Sequence, residues 1–266
     1  MKNFDMKRFG RVLKLDFVEG RKSMMWGALC MLLLYLFFFW FAHNLLIHDS
    51  RMDYVNDPEV MQLLRMKEIC GAVGAFGVMA MFIYLLIATS TLYRGEQKKQ
   101  QRIAWLMLPA SNLEKFTSRW IYLLVFSLVG GVLPFFIADL IHMAYLGVAD
   151  LPVMAATDDV FSVFPHMQYK GDTWISIVKV YTFLVMIHSF YLLGGVFFKK
   201  YHFIATSAVL VLGLAMVFTI TNAFHLYVFL NRIDIFIYPV LVILFTWLAY
   251  YLFCRWQVVT HKFANV

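Results

Sequence analysis

The run Met31-Leu-Leu-Leu-Tyr-Leu-Phe-Phe-Phe-Trp-Phe41 decides the fold class. It carries no charge and does not alternate apolar with polar side chains. It is therefore not a strand of a membrane barrel, whose two faces exchange at every residue. Around it, residues 24–47 form a stretch long enough to cross a bilayer as a helix, which takes about 20 apolar residues. Only a helix satisfies its own backbone polar groups in hydrocarbon.

Working outward, five more such stretches follow, at about 69–92, 121–146, 177–198, 203–223 and 235–253. Whole-chain composition agrees, with 62% of the 266 residues hydrophobic and 15% charged. A soluble domain carries about 25% charged residues. Mean hydropathy is +0.72. These figures exclude a soluble enzyme, a disordered chain and a disulfide scaffold. The expected fold class is an all-α polytopic membrane protein with six transmembrane helices.

The segments left between spans are too short to fold as a soluble domain. The first span is too long and too aromatic for a cleaved leader and reads as a retained anchor. Cys30, Cys70 and Cys254 lie in or beside spans without metal-like spacing, and read as free thiols.

Charge sets the expected orientation. Of 23 Lys and Arg residues, 17 fall in 1–23, 93–120, 199–202 and the tail 255–266, and 5 fall in the segments that alternate with these. By the positive-inside rule both termini are cytoplasmic. The membrane accounts for the net charge of +7, so no nucleic-acid partner is expected. Residues 1–23 read as a cytoplasmic amphipathic interfacial helix, with Phe4, Phe9, Val12, Leu13 and Phe17 near helical spacing among basic residues. A plain topological anchor accounts for the charges equally well.

The connection 93–120, YRGEQKKQQRIAWLMLPASNLEKFTSRW, is the most informative segment. A polar half is followed by a short apolar stripe at Ile103, Leu106 and Met107. Pro109 disfavours helix at Leu108. Ser111 and Glu114 then form an S-x-x-E capping box that starts a new helix. The expectation is a helix–break–helix elbow. Its apolar side chains, Trp105 among them, either dock another protein or lie in the lipid interface.

In Arg102 to Lys115 the motif R-I-x-x-L-x-L-P-A-S-x-x-E-K precedes span three. With the six-span layout, it resembles the membrane subunits of type-2 ABC exporters, the ABC-2 permeases, in a divergent bacterial form. The resemblance implies a coupling helix at 98–108, with Pro109 to Lys115 setting its exit. A separate ABC ATPase subunit would dock on Arg102, Ile103, Leu106, Met107, Leu108, Pro109, Ser111, Glu114 and Lys115. It further implies a permease homodimer or heterodimer in the bacterial inner membrane. ATP and Mg would sit on the partner alone, with no cofactor in this chain.

Polar residues inside the spans are the remaining candidates. Asp139 and His142 are three apart on one helical face, and an ionisable residue in a span is a functional candidate by default. Their position near the end of span three favours a solvated pair over a proton relay. His188, near the middle of span four with Ser189 beside it, reads mainly as packing glue between helices. Asp158–Asp159 is too small a cluster for a metal site, and none is expected. Gly71, Gly74 and Gly77 permit close packing of span two. Gly130, Gly131 and Pro134 make span three bendable. The connection between spans five and six is expected at 224–234.

The chain has no G-x-x-x-x-G-K-[ST], H-E-x-x-H or G-x-S-x-G motif, so no ATPase or hydrolase chemistry of its own is expected. The functional expectation is an exporter permease powered by a separate subunit. Span composition suits a lipid-like or amphipathic substrate, and lipid-facing side chains give the same composition. The alternative is a non-transporting membrane sensor or assembly scaffold with a docking elbow.

Overall fold

The computed structural model describes residues 4–46, 57–93, 99–158, 173–223 and 227–255. Among them the elements are helical: α1 (Met6–Leu46), α2 (Pro58–Thr91), α3 (Lys99–Met107), α4 (Asn112–Ser127), a π-helical turn (Leu128–Val132), α5 (Leu133–Val148), α6 (Thr173–Phe197), α7 (His202–Ala223) and α8 (Tyr227–Cys254). Six helical stretches are long and apolar enough to cross a membrane. The chain is an integral membrane protein of the all-α class.

Local chemistry explains several helix ends. Asp57 caps α2, its Oδ1 accepting from the Glu59 N–H at 3.0 Å, with Pro58 in the first helical position, where its missing N–H is not needed. Two boundaries differ from the sequence reading. No break separates residues 6–23 from the first span, since α1 runs unbroken from Met6 to Leu46. Nothing in Arg21-Lys-Ser-Met-Met-Trp26 stops a helix. Residues 227–234, expected in a connection, belong to α8, which continues through Pro239. Asn231 and Arg232 mark the edge of an apolar window in the sequence, but a polar residue does not by itself end a helix.

The described residues belong to two compact units. One contains Glu19–Tyr84 and Leu124–Gln168. Its core joins Met31, Tyr35 and Phe39 of α1 to Ile69, Cys70 and Val73 of α2 and Phe135, Ala138 and Leu146 of α5. Glycines let aromatic rings enter. A Cβ at Gly77 would collide with the Phe135 ring, and one at Gly130 with the Tyr84 ring. The expected flexibility of span three takes the form of the π-helical turn, where the Tyr35 hydroxyl donates to the Gly131 carbonyl at 3.3 Å.

The other unit contains Met1–Val18, Leu85–Leu123 and Tyr169–Val266. Here α6 packs along α8 through the ring pairs Phe183–Tyr238 and Phe190–Phe245, at 5.4 and 5.3 Å. It meets α7 through the Tyr191–Ser207 hydroxyl pair at 2.6 Å. Leu212, Met216 and Phe218 of α7 are exposed, a surface stable only against an apolar solvent.

Gly195 and Gly213 give a paired test of this packing. A Cβ at Gly195 would meet the Ser90 carbonyl oxygen at 2.9 Å, whereas one at Gly213 meets nothing within 4 Å. Gly195→Ala should lower thermal stability in detergent, by about 1–3 kcal/mol as for other overpacked sites. Gly213→Ala should leave it unchanged or raise it by up to about 1 kcal/mol through helix propensity. Equal melting temperatures for the two variants would contradict the close approach at Gly195.

Candidate functional site

The elbow begins with α3, which stops where the sequence predicts. Leu108 N–H reaches only the Trp105 carbonyl (3.3 Å) and Ala110 N–H the Leu108 carbonyl (2.8 Å), a tight turn around Pro109. The capping box then forms in both directions. Ser111 N–H donates to Glu114 Oε2 at 2.8 Å, and Glu114 N–H donates to Ser111 Oγ at 3.2 Å. This satisfies donors that a helix start leaves without intrahelical partners.

Glu114 does more than cap its own helix. Its Oε1 accepts from the Asp5 N–H at 2.7 Å and from Arg8 Nη2 at 3.2 Å. Asp5 is the residue on which α1 starts, its carboxylate accepting from the Lys7 N–H. One carboxylate therefore ties the beginning of α4 to the beginning of α1.

The adjacent Lys115 is buried, and its Nζ donates to the carbonyls of Trp105 and Leu106 at 2.9 and 3.3 Å. These carbonyls lie at the C-terminal end of α3, where intrahelical donors run out and a cation is favoured. Lys115 thus holds the short helix by its open end. Without such a tether, nine residues are too few for a stable helix.

A second polar cluster lies one turn along α4. Arg119 Nε pairs with Asp16 Oδ1 at 3.0 Å, and Ser118 Oγ donates to Asp16 Oδ2. Arg119 Nη1 also donates to the Leu92 carbonyl at 3.4 Å. Its guanidinium lies 4.4 Å from the centre of the Trp105 ring. Arg119 therefore joins α1, the end of α2 and α3. Phe17 completes the contact by packing edge-on against Tyr122 at 5.4 Å.

These contacts sort the expected docking residues. Arg102, Glu114 and Lys115 are buried and face inward, while Ile103, Leu108 and Ser111 are half-buried. Leu106, Met107 and Pro109 form the surface, Met107 at 78% exposure. Lys98, the expected first residue of the coupling helix, lies outside the described residues. Sequence reasoning missed Asp16, Ser118, Arg119 and the inward role of Trp105. The available signal was Asp16, an acid placed among the apolar residues of the α1 stripe.

The polar residues of the spans also differ from expectation. Asp139 and His142 are buried, at 1% and 6% exposure, where a solvated pair was expected. The reason is the segment after α5, which folds back over the helix end. Ala156 N–H, Thr157 N–H and Thr157 Oγ1 all donate to the Asp139 carboxylate, at 2.9, 3.0 and 2.7 Å. His188 is half-buried with no hydrogen-bond partner among the described residues, and Ser189 bonds its own helix at the Val185 carbonyl. Asp159, Asp172 and the tail beyond Arg255 lie outside the described residues.

The chain matches no protein-family profile, no curated protein and no solved structure.

The Asp16–Arg119 pair lends itself to a double-mutant cycle. Asp16→Leu alone strands a buried guanidinium and should cost about 3–5 kcal/mol of stability. Asp16→Leu with Arg119→Met should recover much of that loss, because no uncompensated charge remains. Additive losses in chemical unfolding of the detergent-solubilised chain would show that the two side chains act independently.

Proposed function

We propose that this chain is the permease subunit of an ATP-driven exporter and that Leu106, Met107 and Pro109 receive a separate ATPase subunit. The observation that supports this reading is the construction of the elbow. Its short helix is held from inside by the Lys115 tether and the Arg119–Trp105 stack, while its outer side exposes large apolar side chains. A connection serving only to join two spans has no need of buried charges to position it.

In this reading both termini face the cytoplasm of a bacterial inner membrane, as the distribution of Lys and Arg favours. The basic start of α1 lies at the membrane surface, and two permease copies form the transport unit. ATP and Mg bind the partner, since this sequence has no phosphate-binding loop. Closure of the partner on ATP pushes α3, and the contacts of Arg119 carry the displacement to α1, α2 and α4. The substrate class that suits apolar spans with few fixed charges is lipid-like or amphipathic.

Met107→Asp tests the docking surface, because the side chain is exposed and its loss leaves the inward contacts intact. The wild-type chain should co-purify from its native membrane with a nucleotide-binding subunit and show ATP-dependent transport in proteoliposomes. The variant should lose that subunit by at least tenfold while keeping its melting temperature. Absence of any ATPase in the wild-type preparation, together with no effect of ATP, would leave the sensor or scaffold reading in its place.

A further inference from the structure

His142 poses a problem that the docking elbow does not explain. Its side chain is 6% exposed, and neither ring nitrogen has a hydrogen-bond partner among the described residues. The ring lies stacked on Phe39 with centroids 4.2 Å apart. An imidazole cannot avoid presenting one donor and one acceptor, or two donors when charged. Leaving these unmet in an apolar core is costly, so a core position of this kind calls for an explanation.

Asp139 poses the complementary problem one helical turn earlier. Its carboxylate is 1% exposed and makes no ion pair with Lys or Arg among the described residues. Three donors serve it, one on Oδ1 and two on Oδ2. A carboxylate offers about four acceptor sites, which leaves room on Oδ1. A buried anion without a counter-charge thus lies three residues from a buried base without a partner.

We propose that Asp139 and His142 form a buried proton-binding site. The ligand is a single proton delivered by hydronium, which leaves as water. A bond forms between the proton and a ring nitrogen, and the imidazolium becomes the counter-charge of the Asp139 carboxylate. Charge is conserved and no further reactant is needed. The site exists whether or not the elbow receives an ATPase.

Among the described residues, the titratable groups that act electrostatically on His142 are Asp139 on its own helix and His43 on α1. The His43 ring packs edge-on against Tyr145 at 5.8 Å. The other segments packed here contribute apolar side chains to the core: Met66, Ile69 and Cys70 from α2, and Leu151, Met154 and Ala156 from the segment after α5. Thr157 serves Oδ2 and leaves Oδ1 to the imidazolium, so its hydroxyl tempers the charge that the imidazolium meets.

The test is a pH titration of the full chain, labelled with 13C at histidine Cε1, in lipid nanodiscs. The His142 resonance is identified by its loss in His142→Gln. It should titrate within the pH window over which the chain stays folded. Asp139→Asn should lower the midpoint by at least one unit, the size of effect a nearby opposite charge exerts. Thr157→Val should raise the midpoint, because it frees the carboxylate without removing its charge. A merely structural coupling would move both midpoints in the same direction. No titration in this window, or an Asp139→Asn midpoint equal to wild type, overturns the proposal. A His43→Gln control that abolishes the Asp139 effect would do so too, by making His43 the group that binds the proton.

Discussion

The ion pair between Asp16 and Arg119 is the contact on which the elbow depends. Both groups are buried, and neither would remain so alone, because an uncompensated charge in a low-dielectric interior costs several kcal/mol. Further polar and ring contacts help to make the pair tolerable. Ser118 serves the carboxylate, while the Leu92 carbonyl and the Trp105 ring serve the guanidinium. Each partner comes from a different segment. Such a cluster has few alternative arrangements, so it fixes position as well as adding stability.

That constraint gives the elbow its polarity. In a soluble protein charged side chains face out and apolar ones face in. Here Arg102, Glu114 and Lys115 face in and Met107 faces out. The inversion has a mechanical reason. A nine-residue helix buries too little apolar surface to be held by burial alone, Trp105 being its one large buried apolar side chain. Directional bonds from Lys115 and Arg119 to backbone carbonyls place it instead. What remains outside is an apolar face that includes Leu106 and Met107.

Much of the local grammar was legible. Ser111 and Glu114 read as a capping box and are one, and Asp57 with Pro58 reads as a helix start and is one. Such motifs close within a few residues, so the sequence contains both partners side by side. Lys115 was legible only as part of a motif. Its bonds go to the carbonyls of Trp105 and Leu106, and a carbonyl has no signature in the side-chain sequence. Asp16 and Arg119 are separated by most of the first two spans, and nothing in either segment announces the other. Depth along the helix predicts a solvated Asp139 pair. The 151–157 segment, folded over the helix end, decided the matter instead.

By itself the sequence determined the class of the protein, an α-helical membrane chain with, among the described residues, six helices long and apolar enough to cross a bilayer. It also determined where the polypeptide breaks between α3 and α4. Both follow from properties summed over neighbours: hydropathy over some twenty residues, or a proline and a capping box over six. Only the tertiary structure decided which charges are buried, which apolar side chains remain outside, and that Asp139 and His142 lie in a closed core. Burial is a relation between segments distant in the chain. A side chain's environment is therefore set by whatever folds against it, which no local window of sequence contains.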